Sequence, residues 1–126
     1  MNKFLSFGIT IAIFTLMMAS CQYKFVVEPE PVPPDPTDTI SFSQEIVPIF
    51  SEQGCTGCHN TGGQQPDLSA ANAYNSITGM GLVNTNDPAD SKIYYYPLPD
   101  GNHFAKYTSS QAALVLQWID QGALDN

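Results

Sequence analysis

One pentapeptide restricts this chain more than any other stretch: Cys55-Thr56-Gly57-Cys58-His59, a C-x-x-C-H. Two thiols at this spacing can each add to a vinyl group of one porphyrin, and the pattern is the attachment signature of a c-type haem. The histidine that follows directly then lies under the iron as its proximal ligand. Cys55 and Cys58 are therefore candidate attachment points and His59 a candidate iron ligand. A chain committed to such a group folds as a few helices wrapped around it.

Three other chemistries use similar residues. A thioredoxin-like redox site needs a strand before the motif and a long helix directly after it. Here Asn60-Thr61-Gly62-Gly63-Gln64-Gln65 follows, a loop composition. A zinc site would draw on Cys55, Cys58, His59 and His103, but adjacent Cys58 and His59 suit one tetrahedral ion poorly. A plain structural disulfide is the remaining alternative.

The 126 residues have room for one domain and a tail. Residues 1–20 have the form of a targeting segment, with Lys3, an apolar stretch from Phe4 to Met17, and small residues before Cys21. They resemble a bacterial lipoprotein signal, in which cleavage before Cys21 leaves a diacylated cysteine at the new N-terminus. An uncleaved anchor is the alternative, and both tether the protein to a membrane outside the cytoplasm. On this reading the three cysteines divide into one for lipid and two for haem. The expected location is the bacterial cell envelope, facing the periplasm, with the inner or outer membrane left open.

Removing residues 1–20 takes away Lys3 and no acid, so the net charge goes from −8 to −9, and the chain has no arginine. Such a surface repels phosphates, which excludes nucleic-acid binding. It either steers a basic redox partner or simply keeps the domain soluble. Residues 21–40 are expected to be the lipidated cysteine and a linker, with prolines at 29, 31, 33, 34 and 36 and acids between them. Proline at that density favours an extended path of about 3.1 Å per residue. The domain itself is placed at 41–126.

Within it the periodicity predicts helices and no sheet. The first runs from Ser43 to Glu52, opened by the S-x-x-Q capping box Ser41–Gln44, kinked or shortened by Pro48, and ended by Gly54. Ser69 is expected to cap a second helix through Ile77. Ser91 is expected to cap a short turn through Tyr96, with Tyr94, Tyr95 and Tyr96 lining a haem edge or offering a partner surface. The last helix begins at the capping box Thr108–Gln111 and stops at Gly122. Its inner face is Ala112, Val115, Ile119 and Ala123, with Leu114, Gln117 and Gln121 toward the polar side.

This combination resembles a class I cytochrome c, and more narrowly the small lipoprotein or planctomycete-type domains. Matching stretches are Pro48-Ile49, Cys55 to His59, Asp87-Pro88-Ala89-Asp90-Ser91-Lys92-Ile93-Tyr94, and Trp118-Ile119-Asp120-Gln121-Gly122-Ala123. The resemblance implies an all-α cytochrome c fold. In that fold about three to five short helices surround one covalent haem c, and the N- and C-terminal helices cross. It also implies that Pro66 of Pro66-Asp67-Leu68 offers its carbonyl to His59 and that Leu68 lies on the porphyrin. Relatives usually carry a Met-Pro pair ahead of the last helix; here Asp100-Gly101-Asn102-His103-Phe104 stands there instead. His103 is accordingly the expected sixth ligand, with Met80, in its Gly79/Gly81 loop, as the alternative.

The implied activity is one-electron transfer between a donor and an acceptor protein, without a substrate. A haem enzyme, an accessory haem subunit of a dehydrogenase, and a ligand sensor with an open iron position are the competing classes. No triad, phosphate loop or pair of catalytic carboxylates is evident.

Overall fold

The computed structural model describes Asp35 and residues 37–126. The targeting segment, Cys21 and most of the linker lie outside the described residues. Among those described there are helices and turns and no strand, an all-α arrangement. No described helix is long and apolar enough to cross a membrane.

The first helical stretch opens as a π-helical turn, Phe42–Ile46, and continues as α1, Val47–Glu52. Pro48 explains the wide turn. In an α register its ring would press on the carbonyl of Gln44, and it has no N–H to donate. The Val47 N–H reaches back five residues to the Phe42 carbonyl instead, so the helix widens before Pro48 and continues through it to Glu52.

The cap differs from the local S-x-x-Q box. Ser41 Oγ does accept the Gln44 N–H at 3.3 Å, but Glu45, not Gln44, returns a carboxylate to the Ser41 N–H at 2.7 Å. The next two free donors are met from the far end of the chain. Phe42 N–H donates to Asn126 Oδ1 at 2.8 Å and Ser43 N–H to the Asn126 carbonyl at 2.9 Å. The orphan donors of this helix start are thus satisfied across the whole domain.

Helix α2 spans Ala73–Gly79, starting three residues later than a Ser69 cap would set it and ending two beyond Ile77. Ser69 is not its cap because its hydroxyl donates to Asp67 Oδ1 at 2.6 Å. Helix α3 is the single turn Lys92–Tyr95. The Ser91 hydroxyl does not cap it; this buried side chain accepts the Asn84 N–H at 2.9 Å and ties the preceding loop instead.

Helix α4, Ser109–Asp120, starts with a complete capping box in which Thr108 and Gln111 satisfy each other's backbone. Gly122, at φ +99°, ends it in the left-handed region that glycine adopts without strain. Its apolar face builds the core: Val115, Trp118 and Ile119 are fully buried beside Ile46, Phe50, Ala73 and Ile77. Trp118 meets Phe42 with ring centroids 5.0 Å apart, and Phe42 meets Tyr74 edge-on at 5.3 Å.

The polar side of α4 is occupied as well. Gln117 Nε2 donates to the Asp35 carbonyl at 2.8 Å, and Gln121 Nε2 to that of Asp38 at 2.7 Å. Gln121 Oε1 accepts the Ile40 N–H at 2.9 Å. Ile40 is buried, so the end of the expected linker is part of the fold. Leu114, expected on the polar side, is half-buried against the core.

Candidate functional site

The motif forms its own short turn. Gly54 adopts φ +71°, which swings the chain out of α1 and into a 3-10 turn over Cys55–Gly57. The Cys55 carbonyl accepts the Cys58 N–H at 3.2 Å and the His59 N–H at 2.9 Å. Helical spacing puts positions three and four apart on one side, so Cys55, Cys58 and His59 share a face. Both cysteines are free thiols; Cys55 is buried and Cys58 exposed. Burial pushes the Cys55 thiol above its usual range.

The next loop folds back over the imidazole. Gly63 passes so close to the motif that an added Cβ would sit 2.6 Å from the Cys58 carbonyl oxygen. The Gln65–Pro66 bond is cis, and the Pro66 carbonyl lies 3.1 Å from His59 Nδ1. A carbonyl only accepts, so in the neutral ring Nδ1 carries the hydrogen and Nε2 keeps its lone pair. Leu68 closes the loop with its N–H 3.0 Å from the His59 carbonyl.

Cys55, His59, Pro66 and Leu68 line one side of a cleft of about 290 Å³. Ile93, Tyr96, Pro97, His103 and Tyr107 come from the second half of the chain, and Met80 and Leu82 from the loop after α2. The lining is mainly apolar. Its size is at the lower end of small-molecule sites, which run from about 300 Å³.

His103 enters on the loop before α4. That loop is tight: a Cβ on Gly101 would fall 2.6 Å from the Tyr96 carbonyl oxygen. Gly101 is thus a close-approach residue. Tyr107 N–H holds the loop's end to the Pro97 carbonyl at 2.7 Å. His103 Nδ1 lies 2.9 Å from the Ala105 carbonyl, the same device as at His59. The two rings have centroids 6.0 Å apart and planes inclined by 31°.

That separation is informative. A metal-bound imidazole nitrogen lies about 2.0–2.1 Å from the metal, so two rings on opposite sides of one ion have centroids about 6 Å apart. No set of three or more His, Cys, Asp or Glu side chains among the described residues is placed to hold a metal ion. The residues present are compatible with a haem: two imidazoles with centroids 6.0 Å apart, both with Nδ1 at a carbonyl, apolar walls, and two free thiols in the turn before His59, of which Cys55 lines the cleft and Cys58 does not.

Met80 lines the same cleft but is 49% exposed at the end of α2. Of the three tyrosines only Tyr96 reaches the cleft; Tyr95 stacks on it at 4.9 Å, and Tyr94 packs on the core.

Two residues were missed in the sequence. Tyr107 is buried in the cleft wall, and its hydroxyl donates to the Ile93 carbonyl at 2.9 Å. Burial, and secondarily the neighbouring Cys55, push it far above the usual phenol range. Its place directly before the Thr108 cap, a position often apolar and packed, was the available signal. Asp67, inside Pro66-Asp67-Leu68, is the second; its Asp-x-Ser spacing is that of an Asx turn.

Comparison with known protein families, characterised proteins and solved structures finds no match for this chain.

Proposed function

We propose that this protein is a membrane-tethered monohaem c-type cytochrome that carries single electrons, with His59 and His103 as its two axial ligands. The observation that carries the reading is the 6.0 Å imidazole pair in an apolar cleft beside Cys55 and Cys58. On this reading the fold is that of a small cytochrome c, its first and last helices crossing beside the haem. The bound haem supplies a one-electron Fe(III)/Fe(II) couple.

The chain's residues do the rest. Cys55 and Cys58 each contribute one thioether, which fixes the group beside His59. The Pro66 and Ala105 carbonyls hold both Nδ1–H groups, so each ring presents Nε2 and keeps its orientation. Leu68, Ile93 and Tyr107 give the cleft an apolar lining. A second imidazole in place of a thioether lowers the potential. With His59 and His103 both holding the iron, no position would be left for an added ligand, which favours a carrier over an oxygen-activating enzyme or a gas sensor. Residues 1–20 and Cys21 supply the tether to the bacterial envelope, and a donor and an acceptor protein are the partners.

The test is spectroscopic. The protein, made in a cell competent in covalent haem attachment, is expected to stay red after denaturation and to carry the added mass of one haem. Optical and EPR spectra should be low-spin, turning high-spin in His103→Ala and not in Met80→Ala. The reverse pattern would make Met80 the ligand. High-spin iron that takes up CO in the unaltered protein would transfer the reading to the enzyme or sensor class. A colourless chain with free thiols would end it.

A further inference from the structure

Asp67 stands between the two residues that bond His59, Pro66 at the ring and Leu68 at the backbone. It is buried, with 8% of its surface exposed, and its carboxylate is saturated. Oδ1 accepts the Ser69 hydroxyl at 2.6 Å and the Ser69 N–H at 2.9 Å. Oδ2 accepts Thr61 Oγ1 and Asn72 Nδ2, each at 2.9 Å. Its own N–H donates to Ser76 Oγ on α2 at 2.8 Å. Donors from residues 61, 69 and 72 therefore converge on one side chain, while Ser76 accepts from the backbone of the same residue.

The consequence reaches the imidazole. With residue 67 held on both oxygens and at its N–H, the Pro66 carbonyl has little freedom to leave the His59 Nδ1–H. A strong bond there makes the ring a better donor to bound iron, which favours the oxidised state. An ionised carboxylate nearby acts in the same direction.

On the haem reading given above, we propose that Asp67 is a positioning residue for the proximal imidazole: its carboxylate locks the 61–76 loop so that the Pro66 carbonyl stays on His59 Nδ1–H, and thereby holds the potential down. Asp67→Ala and Asp67→Asn holoproteins should retain haem and the low-spin spectrum but show an upward shift in midpoint potential, larger for alanine. Asn126→Ala, which frees the Phe42 N–H at the head of the first helix, where neither residue lines the cleft, should lower the melting temperature without moving the potential. An Asp67→Ala protein that melts earlier at an unchanged potential would reduce the residue to a structural role and overturn the claim.

If Asp67→Ala does not fold, Ser69→Ala removes one donor and should shift the potential less, in the same direction; no shift there overturns it equally. A wild-type chain that takes up no haem defeats the functional reading separately. Positioning is then read from the ¹⁵N shifts of His59. Loss of the Nδ1–H tautomer preference in Asp67→Asn supports it, and an unchanged preference refutes it.

Discussion

At the scale of single residues, the site depends on backbone carbonyls placed by side chains that are not themselves ligands. Asp67 is the clearest case. The Ser69 hydroxyl and N–H, bonded to it, bring its carboxyl from 3.8 down to about 2. A depressed carboxyl contributes stability that is complete above its ordinary pKa and vanishes as pH falls through the folded one. The wild-type melting temperature should therefore drop between about pH 4 and pH 2, and its margin over Asp67→Asn should close across that window. A margin that persists at pH 2 would contradict this. Gly101 makes a second case: Gly101→Ala drives a methyl against the Tyr96 and Leu98 carbonyls, 2.6 and 3.1 Å away. Overpacking of this kind costs about 1–3 kcal/mol. A perturbed low-spin EPR signal should accompany the lower melting point, because the displaced loop carries His103. The motif cysteines, His59 and His103 were all visible as residues in the sequence. Asp67 and Tyr107 were not, since their roles depend on what the fold brings to them.

At the scale of elements, local codes were read correctly where the partners are close in sequence. Thr108, Gln111 and Gly122 bound α4 within one turn of their own positions. Thr108→Ala should cost about 1 kcal/mol, measured as a shift in the denaturant midpoint at constant slope. The start of α2 was misplaced because Ser69, a good cap by type, spends its hydroxyl on Asp67. Glu45 displaced Gln44 in the first cap in a turn widened ahead of Pro48. Asn126 completes that cap from the other end of the domain. Asn126→Ala leaves the Phe42 N–H without its acceptor, and a buried donor so orphaned costs about 1–3 kcal/mol. Loss of amide-exchange protection confined to residues 42–46 would be its local signature.

For the molecule as a whole, the core lies under α1, α2 and α4, while the cleft between the motif turn and the His103 loop has apolar walls of its own. A small domain gains stability from a group that fills such a space. On the haem reading, the Cys55→Ala, Cys58→Ala double variant should therefore show weaker far-UV dichroism and a broad melt, and the unaltered protein a cooperative one. A sharp, unchanged melt in the double variant would mean that the protein core suffices. Gln117 and Gln121 hold Asp35, Asp38 and Ile40 on α4, so the end of the expected linker is fixed to the domain ahead of Ser41.

What the sequence determined alone was short-range: the C-x-x-C-H turn, the helical periods around it, the caps of α4, and a surface with a net charge of −8. Each rests on residues within about one helical turn of one another, where backbone geometry leaves few choices. The tertiary structure decided the rest. It put His103 opposite His59, set Asn126 at the head of the first helix and gathered four donors onto Asp67. The first two pairings cross tens of residues and those on Asp67 only two to six, but in each case packing selects among partners that the linear order leaves equivalent.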